Sequence, residues 1–150
     1  MAHINEIFSK TMKLKQDLES LLTLADCNNY GYLSDVEMDE QDAEQIFLWN
    51  ELNYIMNRLR DAKDRIEYLS CPVEEIGCLH KNKSGRYSTQ NGYTYTSGSR
   101  IEALVTDDRY HDFPYWTRTN IEHNGTDYYL VKHKNTPLEG LSVRVRREAI

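Results

Sequence analysis

The sequence predicts an α+β chain with two parts: an N-terminal antiparallel, coiled-coil-like helical hairpin over residues 1–70, and a C-terminal small SH3-like or OB-like β-barrel over residues 71–150. Three observations predict it. Charge and texture change together at Cys71-Pro72: residues 1–70 carry 7 basic and 14 acidic side chains with one Gly and no Pro, whereas residues 71–150 carry 11 basic and 10 acidic with six Gly and all three Pro. Before the break, apolar residues recur at alternating three- and four-residue spacings. After it, short β-rich runs are separated by turn signals.

The first helix is expected from Ile4, Ile7, Thr11, Leu14, Leu18, Leu21 and Ala25, an a/d stripe with polar residues between. Leu48, Leu52, Ile55, Leu59, Ala62, Ile66 and Leu69 form the same kind of stripe on a second helix, which Pro72 stops. Two such stripes bury each other as an antiparallel pair. Phe47, Trp49, Tyr54 and Met56 lie beside the second stripe and exceed what two helices need, so they point to packing on the C-terminal unit or to a dimer face.

The segment Asp26 to Glu37 matches a twelve-residue calcium loop at Asp26, Asn28, Gly31, Ser34 and Glu37, but Tyr30 stands where a fifth-position oxygen is needed. The same residues make an interhelix turn, with Gly31 at a positive φ and Ser34 and Glu37 as a capping box opening the second helix. The capped turn is the expectation, and a calcium-responsive hairpin is kept as an alternative. Six acids follow between Asp35 and Glu44. Acids at a helix start suit the macrodipole. They also offer a negative patch, with Asp39, Glu40, Asp42 and Glu44 as expected contacts to a basic partner.

Strands are expected at Glu75 to His80, Arg86 to Ser88, Tyr93 to Thr96, Arg100 to Val105, Tyr115 to Glu122, Asp127 to Lys132 and Leu141 to Arg146. Asn91-Gly92 is the strongest two-residue hairpin signal. In the last strand, alternation turns Leu141, Val143 and Val145 inward and Arg144 and Arg146 outward.

Several spaced motifs of this half agree in order with a known family. They are Gly85-Arg86-Tyr87, the run Tyr95 to Glu102, Trp116, Ile121-Glu122-His123, Tyr128-Tyr129 and the run Leu138 to Arg146. Over about the last 70 residues the chain resembles a small uncharacterised bacterial β domain carried by plasmids, phages and conjugative elements of Gram-positive bacteria. It departs at Thr117-Arg118-Thr119-Asn120, where usual members have Gly-Arg after the Trp. The resemblance implies a mobile-element setting, in which anti-CRISPR and other anti-defence proteins are common; it brings no catalytic residues.

The chemistry-bearing residues do not assemble into a motif. Cys71, Cys78 and His80 lack zinc-knuckle spacing, and His111-Asp112 are adjacent beside Pro114. No phosphate loop, nucleophile elbow or dinucleotide fingerprint occurs. The expectation is therefore a non-enzyme without cofactor or metal. Three Cys exclude a disulfide scaffold, and no apolar run approaches the ~20 residues of a membrane span, so the expected place is the cytoplasm. A net charge of −6 argues against a protein that coats nucleic acid.

Binding remains, on one of two surfaces. The aromatic loop from Asp107 to Trp116, with Phe113 and Trp116 as anchors, joins the acidic hairpin in the leading expectation: a monomer or homodimer that docks on a protein and inhibits or regulates a host nucleic-acid enzyme, with an anti-CRISPR as one candidate. The alternative is a nucleic-acid-binding accessory protein using Lys132, Lys134, Arg144, Arg146 and Arg147 on the barrel.

Overall fold

Thr11 bends the first helix. Its hydroxyl donates to the Ile7 carbonyl at 2.8 Å, and the Leu14 N–H turns back to the Thr11 carbonyl at 3.0 Å, so the ladder tightens between α1 (Ile4–Met12) and α2 (Lys15–Leu24). A long helix, α3 (Ala43–Ser70), follows. The structure is a computed structural model describing residues 1–25, 33, 36–110 and 112–147. It divides into two units, Met1–Ser70 and Cys71–Ile150.

The start of α3 differs from the expected capping box at Ser34 and Glu37. The helix opens at Ala43, and Asp42 accepts the Glu44 and Gln45 N–H groups at 2.9 and 3.4 Å. The Gln45 side chain accepts from Asp39 N–H at 2.7 Å. Aspartate at this position satisfies the orphan donors of the first turn and favours its dipole, so the helix start lies downstream, on a single Asp cap.

The buried stripe differs in part: Ala25 and Ile66 are buried and Leu59 packs on the core as expected, but the rest has moved. Leu22, Ala25, Leu33 and Met56 form the core of the helical unit, with Trp49 and Leu59 against it. Leu33 is pinned at both backbone groups by α3: Asn53 Oδ1 accepts its N–H at 2.7 Å, and Trp49 Nε1 donates to its carbonyl at 3.0 Å. This draws the strip Trp49, Asn53 and Met56 inward. Leu48, Leu52 and Ile55, expected in the seam, remain exposed, as do Ile4, Ile7, Leu14 and Leu21.

The C-terminal unit is antiparallel throughout. Its strands are β1 (Val73–Cys78), β2 (His80–Lys81), β3 (Tyr87–Ser88), β4 (Thr94–Tyr95), β5 (Ser99–Val105), β6 (Tyr115–His123), β7 (Tyr128–Leu130) and β8 (Ser142–Arg146). They form a five-stranded sheet in the order β1-β8-β5-β6-β7 and a three-stranded sheet in the order β2-β3-β4. Leu79 is where the chain passes from one sheet to the other. Its N–H still bonds to Leu141 and its carbonyl to Gly140, at 2.9 and 2.7 Å, and its side chain is fully buried. At the expected Asn91-Gly92 turn, Gly92 takes φ +80°, which a side chain would strain.

One core joins the two sheets: Leu79, Tyr87, Tyr95, Ile101, Ala103, Val105, Ile121, Leu130, Leu138 and Val143. Beside it, the buried Glu75 carboxylate accepts the Thr89 hydroxyl and, at 3.4 Å, the Tyr95 hydroxyl, fastening β1 to the small sheet. Among the described residues no sheet closes: β1 and β7 are the outer strands of the larger one, and the two-residue strands β2, β3 and β4 pair among themselves instead of bridging them. The expected barrel is, in the structure, a pair of open sheets within an α+β chain.

Candidate interaction surface

The five-stranded sheet has a dry face and a built outer face. Alternation along β5 sends Ile101, Ala103 and Val105 into the core, so Arg100, Glu102 and Leu104 point the other way. Register then lines up four strands across this outer face. Ile76 on β1 stands opposite Arg144 on β8, Arg144 opposite Glu102 on β5, and Glu102 opposite Arg118 on β6. Trp116 stands opposite Leu104 in the next row.

Glu102 is buried in the middle of this ladder, and two guanidinium groups hold it there. Arg144 Nε donates to one oxygen at 2.7 Å and Arg146 Nε to the other at 2.6 Å. Both are short, charge-assisted bonds. Arg146 also donates through Nη1 to the Cys71 carbonyl at 3.2 Å. Arg144 lies over the Trp116 indole, 4.2 Å from Cζ to the ring centroid. The result is an ordered polar–aromatic platform, with Ile76, 68% exposed, at its β1 edge.

The loop before β6 is tied to itself through Asp107. This carboxylate accepts the Arg109 N–H at 2.9 Å and the Tyr115 hydroxyl at 2.6 Å, and the Tyr115 bond first, then the backbone bond, holds its pKa below the usual carboxylate range. Tyr110 and Tyr115 pack edge to face, and Phe113 N–H closes onto the Tyr110 carbonyl at 3.1 Å. Within this frame the Phe113 side chain stays 70% exposed.

The basic residues expected to hold a phosphate backbone are dispersed. Arg144 and Arg146 sit on Glu102, and Arg147 pairs with Glu74 at 3.3 Å and lies over Tyr93. Lys134 lies over Tyr129, 5.4 Å from the ring centroid. Lys132 alone of the five joins a basic depression, an open hollow of about 290 Å³ lined with Arg100, Arg118 and Asn120. Asp39, Glu40 and Glu44 are exposed on the helical unit, and Asp39 and Asp42 also serve as local caps, Asp39 by accepting the Gln41 N–H at 2.9 Å.

Of the expected calcium positions, Asp26, Asn28, Gly31 and Ser34 lie outside the described residues, as does His111. Cys71 and Cys78 are half-buried, and Cys78 Sγ lies 3.9 Å from the Ser142 hydroxyl. His80 Nδ1 lies 2.9 Å from Glu139, whose other oxygen accepts the Lys81 N–H; His80 is the main reason that the Glu139 carboxyl is held low. Among the described residues no group of three His, Cys, Asp or Glu side chains is placed to hold a metal ion.

Glu102, Ile76 and Arg118 are the parts of this surface that sequence reasoning missed. The alternation of Arg100 to Val105 already puts Glu102 off the core face. Its partners on β8 lie about 40 positions away, and nothing local announces that pairing.

Fold and surface together define an α+β chain whose C-terminal unit is an antiparallel module with one built, solvent-facing sheet surface. That module matches a known family: residues 77–145 carry a domain of unknown function, DUF5348. No curated protein and no solved structure matches the chain. No helix among the described residues is long and apolar enough to cross a membrane.

Proposed function

We propose that the protein is a non-catalytic binding protein that engages a protein partner, with Trp116 and Phe113 of the C-terminal module as anchors. The observation that carries this reading is the Glu102 carboxylate, which occupies both Arg144 and Arg146. A phosphate would have to displace a buried carboxylate from two charge-assisted bonds to recruit them. What the platform offers an incoming surface is a stacked Trp–Arg pair and an exposed Ile76, the chemistry that protein interfaces concentrate at their centres. The exposed acids Asp39 and Glu40 suit a partner with a basic groove, as a nucleic-acid enzyme has. The role as an inhibitor or regulator of such an enzyme, from a mobile element and in the manner of an anti-CRISPR, rests on the family resemblance.

One observation favours nucleic acid as a second reading: Arg100, Arg118 and Lys132 share one hollow. A mobility-shift experiment at low salt separates the two. The leading reading expects no retardation of single- or double-stranded DNA or RNA at micromolar protein. Retardation abolished by Arg100→Glu and Lys132→Glu would transfer the assignment to the second.

A further inference from the structure

The helical unit leaves a coiled-coil seam uncovered. Leu48, Leu52 and Ile55 are 46, 39 and 43% exposed on α3, although they keep the four- and three-residue spacing of a helix–helix interface. The contact with Leu33 and α2 uses the neighbouring strip, Trp49, Asn53 and Met56, with Leu59 at the border between that strip and the seam. Phe47 and Tyr54 widen the exposed seam on its far side.

The charges beside the seam say what covers it. With Leu52 and Leu59 at heptad position a and Leu48 and Ile55 at d, position g holds Glu44, Glu51, Arg58 and Arg65, all exposed. The order is acid, acid, base, base. A second α3 laid antiparallel about a two-fold axis stacks Leu52 on Ile55 of the second copy and Leu48 on Leu59 of the second copy. In an antiparallel coiled coil, g positions flank g positions. In that register Glu51 meets Arg58 of the second copy, and Glu44 meets Arg65 of the second copy. Symmetry doubles each pair. A parallel pairing would instead set g against the e position of the next heptad, bringing Arg58 against Lys63 of the second copy, like against like.

We propose that α3 pairs with α3 of a second copy of this chain, antiparallel, in the single register that matches both the apolar layers and the four ion pairs. Burying Leu48, Leu52, Ile55 and the stems of the flanking charged residues removes less than the roughly 1,200 Å² at which standard specific interfaces begin. Such an area fits a weak, reversible dimer.

Sedimentation equilibrium of the full chain at low salt, over roughly 1–300 µM, tests this. The expected result is a monomer–dimer equilibrium. Glu51→Arg weakens it about tenfold or more, Arg58→Glu does the same, and the double variant Glu51→Arg/Arg58→Glu restores it. These positions are exposed, and unchanged circular dichroism verifies that the helices persist. A wild type that stays monomeric throughout overturns the proposal, whether or not some other protein covers the seam. So does a dimer indifferent to Glu51→Arg, or a double variant as weak as the singles.

Discussion

Arg144 is fixed from two sides: its Nε donates to Glu102 at 2.7 Å, and its guanidinium lies 4.2 Å above the Trp116 ring. A Trp on an open sheet would ordinarily sample several rotamers. Here it is held flat beneath a cation that is itself anchored to a buried carboxylate, so less rotamer entropy is left to lose on binding. The platform is preorganised by one buried residue, Glu102.

Glu102→Gln is therefore expected to destabilise the C-terminal module by about 2–4 kcal/mol, because it removes the charge that holds two guanidinium groups. Arg144 and Arg146 keep some access to water, which holds the loss below that of a fully enclosed pair. Urea unfolding measures it, and a loss within experimental error would contradict the account.

Phe113→Ala should leave stability within about 0.5 kcal/mol of the wild type, since the side chain faces solvent. Its binding effect should be large: about tenfold or more in partner affinity if it is an anchor. Thermal denaturation and a titration against the partner, run side by side, separate these two quantities.

Acid should loosen the C-terminal module. Asp107, Asp127 and Glu139 are all held below their ordinary values: Asp107 chiefly by the Tyr115 hydroxyl, Asp127 by the Tyr128 N–H and then Lys81, and Glu139 by His80 and then the Lys81 N–H. Lower folded pKa values mean that their stabilisation is complete above the ordinary values of 3.8 and 4.5 and is lost as pH falls through the folded ones. The melting temperature should accordingly fall below about pH 4.5, and Asp107→Asn should flatten that fall.

Asn53→Ala tests the pin on Leu33. It leaves the Leu33 N–H without its partner in a partly buried site, at a cost of about 1–2 kcal/mol. A change confined to the melting of the helical unit, followed by far-ultraviolet circular dichroism, is the expected signature.

The α+β class and most strands were legible because turn residues and alternation are local signals. At and just before β8, Leu141, Val143 and Val145 do pack toward the core while Arg144 and Arg146 face outward. The buried stripe of α3 was legible at Leu59 and Ile66 but not in its first half. Phe47, Leu48, Trp49, Leu52, Tyr54, Ile55 and Met56 put apolar surface on more than one side of the helix, so periodicity alone could not choose among the strips. The choice falls to Leu33, a residue outside any helix that bonds to Trp49 and Asn53. Barrel closure failed for a comparable reason: strand count is local information, but β1 pairing with β8 across the whole module is not. The candidate surface suffered most, since basic residues that look available in sequence are held by Glu102 and Glu74.

The central claim is that the module binds protein through Trp116 and Phe113. Affinity capture from nuclease-treated host extract, on immobilised wild type beside a Phe113→Ala/Trp116→Ala variant of equal fold content, tests it most directly. The account predicts a specific protein retained by the wild type despite nuclease and lost from the variant. Retention that nuclease abolishes, or that the variant keeps undiminished, would contradict it.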